Sequence, residues 1–216
     1  MPMNYSTLIG PKATPGSLRN WLNWDKLVAG DVLEEAQAWI YSKLRVREMI
    51  AIQSATITLA ATQLAMPANF ISALSFKLTG DYAGDVVVYE ERDFENQINL
   101  DALSQLQEGV PDGCMIIGDP AVAYFNWAAI DAIPYRLVYY SRPDSLSAGN
   151  ATNWLTTRYP QLLRYACLGV GNEYKQDWEK ADRYLKMALG LAEAANAESD
   201  MAKEITRHEP FNHSNE

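Results

Sequence analysis

The chain has 216 residues, of which 48% are hydrophobic and 21% are charged, and its formal net charge is −9. This balance is typical of a globular chain with its own core and excludes a disordered or fibrous class. Because DNA phosphates are bound by clustered Lys and Arg, a pI near 4.8 argues against tight nucleic-acid binding. The most apolar stretch, residues 121–133, is interrupted by Asn126 and Asp131 and is shorter than the ~20 residues of a membrane helix.

The N-terminal segment predicts helices and no export signal. Residues 1–10 lack a basic patch followed by an apolar stretch, so we expect no signal peptide. A short helical turn is predicted after Ser17. A longer helix is predicted to begin at Asp31, whose carboxylate can cap free backbone amides while Glu34 completes a reciprocal capping pattern. The apolar stripe predicted for this helix comprises Leu33, Ala36, Ile40 and Leu44.

The middle of the chain changes from a helical period to a strand-like one at about Ser54. The strands predicted there cover residues 56–59, 70–78, 85–89, 115–117, 122–127 and 135–140. Gly, Pro and Asp between them supply turns, and a short helix is predicted over residues 100–107. Roughly five to seven short strands in this space indicate a small antiparallel sandwich or barrel.

The helical period returns after Ser147. A short helix is predicted over residues 153–158, and Pro160 suits the first position of the helix that follows. Asp177 can cap a last helix. The apolar stripe predicted for that last helix comprises Trp178, Ala181, Leu185, Ala188, Leu189 and Ala192.

These elements predict an α+β fold in which one β module is inserted between two helical parts. Neither helical end can bury its apolar stripe alone, so we expect the two ends to pack together as a helical bundle. The predicted parts are an N-terminal helical part over 1–53, an antiparallel β module over 54–141, a C-terminal helical part over 142–196 and a polar tail over 197–216.

The residue types that carry catalysis do not converge in this sequence. Cys114 and Cys167 are far apart and fit neither a disulfide framework nor a zinc site, so we interpret them as buried apolar side chains in a reducing compartment. The only histidines, His208 and His213, lie in the polar tail without the four-residue helical spacing of a metal pair. We therefore expect no cofactor and no bound metal.

Two further motifs resemble sites only superficially. Residues 169–171 (GVG) have no preceding strand and no third glycine, so small residues that allow close helix packing explain them better than a phosphate loop. Residues 90–93 (EERD) could place two carboxylates across a glycosidic bond, but charges at the end of a strand are usually solvated. We therefore predict no catalytic residues and no enzymatic activity.

Aromatic residues are abundant, with six Trp and twelve Tyr. These side chains combine a large apolar area with a polar tip, which suits them to protein interfaces as well as to the core. We expect most of them in the core and the remainder on surfaces that contact other proteins.

Several short segments, in order, resemble the head-to-tail adaptor proteins of short-tailed and related tailed bacteriophages. They cover most of the chain, from about residue 17 to residue 196. The segments are LRVREM at 44–49, LAMPANF at 64–70, GVP at 109–111, IGD at 117–119, YYSRP at 139–143, NWL at 153–155, YP at 159–160 and the closing helix through Trp178 and Leu185. One departure from the family pattern is Ala148, where the family leads us to expect an acidic residue after Ser147.

The resemblance implies a structural protein of the virion neck. It implies helices with an inserted β module, assembled as a ring of twelve copies beneath the portal protein, which extends the channel for genome DNA and supports the tail tube or nozzle. A ring requires unlike faces that meet head to tail and close by rotation. We expect synthesis and assembly in the host cytoplasm, no membrane partner and no specific DNA binding.

Two other functions are compatible with these residues. One is a different phage neck or tail protein, a stopper or a tail terminator. The other is a carbohydrate-binding or glycoside-acting β module that uses exposed aromatic residues and the carboxylates of residues 90–93. Within the adaptor hypothesis, Phe211 is the lone aromatic residue of the polar tail, and we predict that it anchors residues 197–216 to the portal.

Overall fold

The computed structural model describes residues 3–90 and 107–207, with side chains up to residue 200. It divides the chain into two compact units. The helical unit comprises Met1–Glu48 and Pro143–Glu216, and the β unit comprises Met49–Arg142. The predicted α+β class is therefore confirmed, with helices from both ends of the chain in one unit and strands between them in the sequence.

The helical unit is built around three long helices, and α5 packs against both α3 and α6. Its helices are α1 Tyr5–Leu8, α2 Leu18–Trp21, α3 Ala29–Lys43, α4 Trp154–Arg158, α5 Pro160–Tyr174 and α6 Trp178–Arg207. The predicted apolar stripe of α3 is confirmed by the burial of Leu33, Ala36, Ile40 and Leu44.

The predicted start of α3 is wrong. The helix begins at Ala29, and the preceding residue, Val28, makes no capping bond through its side chain. Asp31 lies inside the first turn, where its charge still interacts favourably with the helix dipole. Because Ala29 and Val32 are buried, the apolar face extends one turn further towards the N-terminus than the capping pattern indicates.

The junction between α4 and α5 follows the prediction closely. The Asn153 side chain accepts a hydrogen bond from the backbone of Thr156, and the Thr156 side chain accepts one from the backbone of Asn153. This capping box begins α4. Pro160 then begins α5, where its missing amide hydrogen would in any case have no partner within the helix.

The predicted apolar stripe of α6 is only partly right. Asp177 caps the helix as expected, because its carboxylate accepts a hydrogen bond from the Lys180 amide at 3.3 Å. The buried residues are small ones: Ala181, Ala188, Ala192, Ala195 and Ser199. By contrast, Trp178 is 64% exposed and Leu189 is 36% exposed, which corrects their assignment to the core.

The structure is helical at residue 197, where the sequence predicts that a polar tail begins. Helix α6 continues through this point to Arg207. Ala195 and Ser199 extend the buried stripe of small residues at four-residue spacing, so the helix still gains packing after the larger apolar residues end.

The β unit contains two four-stranded sheets, ordered β1-β10-β3-β4 and β2-β8-β7-β5, and the short pair β6-β9. The strands are β1 Ile50–Ile57, β2 Gln63–Ala65, β3 Phe70–Leu78, β4 Gly84–Asp85, β5 Val87–Val88, β6 Glu108–Gly109, β7 Gly113–Ile117, β8 Val122–Phe125, β9 Ala128–Ala129 and β10 Ile133–Ser141. Most pairings are antiparallel as predicted, but β5 with β7 and β6 with β9 are parallel.

The two four-stranded sheets share one apolar core. Phe76 of β3, Phe125 of β8 and Leu137 of β10 belong to the same buried cluster. The first strand begins at Ile50, paired with Tyr140, rather than near Ser54. The helix predicted over 100–107 falls, except for its last residue, outside the described residues.

Candidate protein-interaction surfaces

The two thiols occupy the core positions that the sequence indicates. Cys114 lies in the β unit and Cys167 in the helical unit, and both are completely buried. Burial disfavours the thiolate and raises the pKa of each thiol to about 12. Because the nucleophile and metal ligand is the thiolate, both cysteines are unreactive in the folded chain at neutral pH.

The described residues do not bring the other candidate catalytic or metal-binding residues together in one site. Glu90 is exposed just after β5, while residues 91–93 and both histidines lie outside the described part of the chain. Within residues 3–90 and 107–207, no group of His, Cys, Asp and Glu could hold a metal ion. No described helix is both long enough and apolar enough to span a bilayer.

The glycines of residues 169–171 have a packing role, as predicted. A Cβ atom added to Gly169 would lie 2.6 Å from the Leu185 side chain of α6. A Cβ atom added to Gly171 would overlap the Leu22 side chain. Both glycines therefore permit close contacts of α5, and no phosphate loop is present at this position.

Helix α6 exposes its large apolar side chains on either side of its buried stripe. Trp178 and Leu189, together called the Trp178 flank, are exposed on one side. Met187 and Leu191, together called the Leu191 flank, are 40% and 37% exposed. At about 100° per residue, each flank lies some 80–90° around the helix axis from the middle of the alanine stripe, in opposite directions.

An open groove of about 380 Å³ lies beside the Leu191 flank. Its walls come from the α4–α5 junction and from the second half of α6: Arg158, Tyr159, Pro160, Gln161, Leu162, Leu191, Ala194, Ala195 and Glu198. The Arg158 guanidinium forms ion pairs with Glu48 and, at 3.5 Å, with Glu198. The apolar floor of the groove is thus bordered by a charged rim.

The groove wall is stiffened by ring contacts around Tyr159. The Tyr159 ring meets the Trp154 ring edge to face at a centroid distance of 5.8 Å, and the Arg158 guanidinium lies 5.6 Å from the Tyr159 centroid. Partial burial raises the pKa of Tyr159, and the neighbouring Arg158 charge opposes that shift. The wall is therefore defined before any partner binds.

One end of the β unit presents a second apolar surface. Its members are exposed to between 37% and 62% of their full area: Leu59, Val110, Trp127 and Ile130. Backbone hydrogen bonds tie the segments that carry them, from Ala60 to Ala129 at 2.7 Å and from Ile130 to Gly109 at 3.0 Å. A Cβ atom added to Gly109 would lie 3.1 Å from the Trp127 ring, so the glycine lets the backbone pack closely against this ring.

Sequence reasoning predicted surface aromatic residues without locating them. Trp178 has a regular helical spacing with Leu185 and Leu189, and this spacing predicts that Trp178 is buried. In the structure, Trp178 and Leu189 lie at the edge of the buried stripe and are exposed. The one available signal was the run of alanines at positions 181, 188, 192 and 195, because small residues mark the side where helices approach closely. The one anchor predicted by residue, Phe211, lies outside the described residues.

The described residues thus define a protein with exposed apolar side chains on both of its units and with buried thiols that are unreactive at neutral pH. Residues 3–211 match the family of the SU10 adaptor protein. This match covers nearly the whole chain, so the chain belongs to that family of phage adaptor proteins. Among curated proteins, none matches it.

Proposed function

We propose that this protein is a non-enzymatic subunit of a ring in the neck of a tailed phage, between the portal and the tail. Membership of the SU10 adaptor family carries the proposal. The exposed apolar side chains beside the groove of α6 and at one end of the β unit support it, because apolar side chains grouped on a protein surface usually mark a site of protein contact. Those side chains lie on both units, as a subunit with several different neighbours requires.

The ring proposal follows from what a neck subunit must contact. Each copy has two neighbours in the ring, a portal on one side and a tail tube or nozzle on the other. Head-to-tail contacts close into a ring only when the two contacting faces differ. Twelve copies remain the number that the resemblance to head-to-tail adaptors predicts.

Genome DNA passes through such a ring without being bound by it in this proposal. The net charge of −9 supports this role, since a repulsive channel wall does not retain phosphates. The absence of any cofactor and assembly in the host cytoplasm belong to the same proposal. Two unpaired buried cysteines are compatible with a reducing compartment.

Binding to the portal is the experiment that separates an adaptor from a tail terminator. The full chain is mixed with the portal assembly of the same phage and the complex is isolated by sedimentation and imaged. An adaptor forms a layer on the portal and none on purified tail tubes. Binding to tail tubes alone would identify a terminator and contradict the proposal.

The contribution of the C-terminal segment is tested by a shorter deletion than the sequence first indicates. Helix α6 includes residues 197–207, and Ser199 is buried, so removing all of 197–216 would also remove packed structure. Deletion of 208–216 keeps α6 complete to its last residue, Arg207. If Phe211 anchors the segment to the portal, Phe211→Ala weakens portal binding as much as the deletion, whereas His213→Ala does not.

A further inference from the structure

We propose that the two flanks of α6 form the contact between neighbouring copies of this chain, with the Trp178 flank of one copy packed on the Leu191 flank and groove of the next. This inference rests on the proposed ring and names its contact surface. The partner is a second copy of the same chain.

The two flanks have the geometry of unlike, outward-facing surfaces. Leu191 follows Trp178 by thirteen positions, which is about 20 Å along the helix at 1.5 Å per residue and about 220° around it. The buried alanines occupy the sector between the flanks, so a single neighbour on one side cannot cover both. Two copies that contact through opposite flanks leave one free flank at each end, and further copies can add until the ring closes.

The side chains on the two flanks have complementary shapes. Trp178 is a bulky projection and has the highest fractional exposure of the large hydrophobic residues in the described part of the chain. The groove beside Leu191 is a concave surface with Pro160, Leu162 and Ala194 in its walls. A buried tryptophan contributes on the order of 150–250 Å² of contact, and such residues tend to dominate the binding energy of an interface.

The exposed charges are predominantly acidic beside the Trp178 flank and mixed beside the Leu191 flank, where Glu198 of the groove rim lies with Lys180 and Arg183. Exposed Asp182 and Glu193 project on the same side of α6 as the Trp178 flank, about 40–60° from Trp178. Exposed Lys180 and Arg183 project on the side of the Leu191 flank. One charge in each group is paired with an opposite charge on the same helix: Lys186 bonds Asp182 at 2.6 Å, and Lys180 bonds Asp177 at 2.6 Å. The remaining asymmetry favours contact between opposite flanks over contact between two copies of the same flank.

Cross-linking through introduced cysteines tests this arrangement directly. The double variant Asp182→Cys with Ala194→Cys has one thiol beside each flank, and both native residues are exposed. The two sites are about 18 Å apart along α6, so a disulfide cannot join them within one chain. The native thiols of Cys114 and Cys167 are buried and do not compete at neutral pH.

The full-length double variant is oxidised both alone at high concentration and bound to portal, and the products are separated under denaturing conditions. We expect a ladder of dimers, trimers and larger species from the double variant and none from either single variant. Covalent dimers from one single variant would show that like flanks meet. Absence of a ladder in both conditions, with portal binding intact, would overturn this inference while leaving the adaptor role standing.

A substitution in the proposed contact provides a second, independent measurement. Trp178→Ser should leave the melting temperature unchanged, because the side chain is exposed, yet weaken self-association on portal about tenfold or more. Val28→Ser is the matched control, since Val28 is 58% exposed and belongs to neither flank nor to the second apolar surface. Equal association of Trp178→Ser and the unmodified chain would contradict the proposed contact.

Discussion

Asn196 of α6 binds the backbone at the end of α3, next to Arg45. Its side-chain oxygen accepts a hydrogen bond from the Arg45 amide at 2.7 Å, and its side-chain nitrogen donates one to the Lys43 carbonyl at 3.0 Å. A carbonyl at the C-terminus of a helix has no partner within that helix. One amide side chain therefore joins α6 to the end of α3, although Asn196 and Arg45 are 151 positions apart in the sequence.

Removing this side chain should destabilise the helical unit. For Asn196→Ala we expect a loss of about 1 kcal/mol in the free energy of unfolding, at the lower end of the usual range because the site is partly exposed. Asn196→Asp keeps an acceptor for the Arg45 amide but places a negative charge at the C-terminal end of the α3 dipole. Urea unfolding measures both losses, and Ala197→Ser is the neighbouring control. An unchanged Asn196→Ala variant would mean that water replaces both bonds without cost.

The glycines of the helical unit should respond to alanine with opposite signs. Gly169→Ala and Gly171→Ala place a methyl group against Leu185 and Leu22, so we expect each to cost about 1–3 kcal/mol through overpacking. A methyl group on Gly190 meets nothing within 4 Å. Because alanine is the better helix former, Gly190→Ala should stabilise the chain by about 0.5–1 kcal/mol. Thermal unfolding of the three variants tests the contrast, which vanishes if α5 and α6 do not pack this closely.

Helix capping was predictable from the sequence where the residues that bond to one another lie within a few positions in the chain. Asn153, Thr156 and Pro160 illustrate this, since their capping and helix-starting roles depend on residues within a few positions. The exposure of Trp178 was not predictable in the same way. It depends on which face of α6 the other helices of the unit cover, and periodicity alone does not distinguish the centre of a stripe from its edge.

Parallel strand pairs and the length of α6 were missed for a related reason. The pairing of β5 with β7 joins residues that are far apart in the chain, and no short sequence motif specifies it. Residues 197–207 are polar enough to suggest coil, but Ser199 continues the row of small buried residues. The resemblance identified the family of the chain correctly, whereas the positions of its exposed apolar side chains required the structure.

The stability of the folded chain should fall in alkaline solution. Burial raises the pKa of Cys167 to about 12, whereas the pKa of a thiol in the unfolded chain is about 8.5. The stabilisation that depends on this protonated thiol is fully present below about pH 8.5. It decreases at higher pH, because only the unfolded chain releases the proton there. Tyr41, whose pKa burial also raises to about 12, adds to the effect above about pH 10.

Urea unfolding at pH 8 and pH 10 measures this dependence. We expect the unfolding free energy to fall by about 2 kcal/mol per buried thiol over that interval. The Cys167→Ala variant starts from a lower stability but should show a shallower decrease between the two pH values. An equal decrease in the variant would show that Cys167 ionises in the folded state as readily as in the unfolded one.

Two glutamines with different surroundings provide a test of how buried polar groups contribute. Gln37 is 2% exposed, and its side-chain oxygen accepts a hydrogen bond from the Leu146 amide at 2.9 Å. Its side-chain nitrogen donates to the Leu33 carbonyl at 3.2 Å. In contrast, the side-chain oxygen of Gln53 is buried without a hydrogen-bond partner among the described residues.

Replacing each glutamine with methionine should therefore give different results. Gln37→Met leaves the Leu146 amide buried and unpaired, and we expect a loss of about 1–3 kcal/mol in unfolding free energy. Gln53→Met removes a polar atom that has no partner to lose, so the change should be neutral or stabilising. Urea unfolding of both variants provides the comparison. A cost for Gln53→Met as large as that for Gln37→Met would show that Gln53 has a partner in solution, and that β1 is held by more than its pairing with β10.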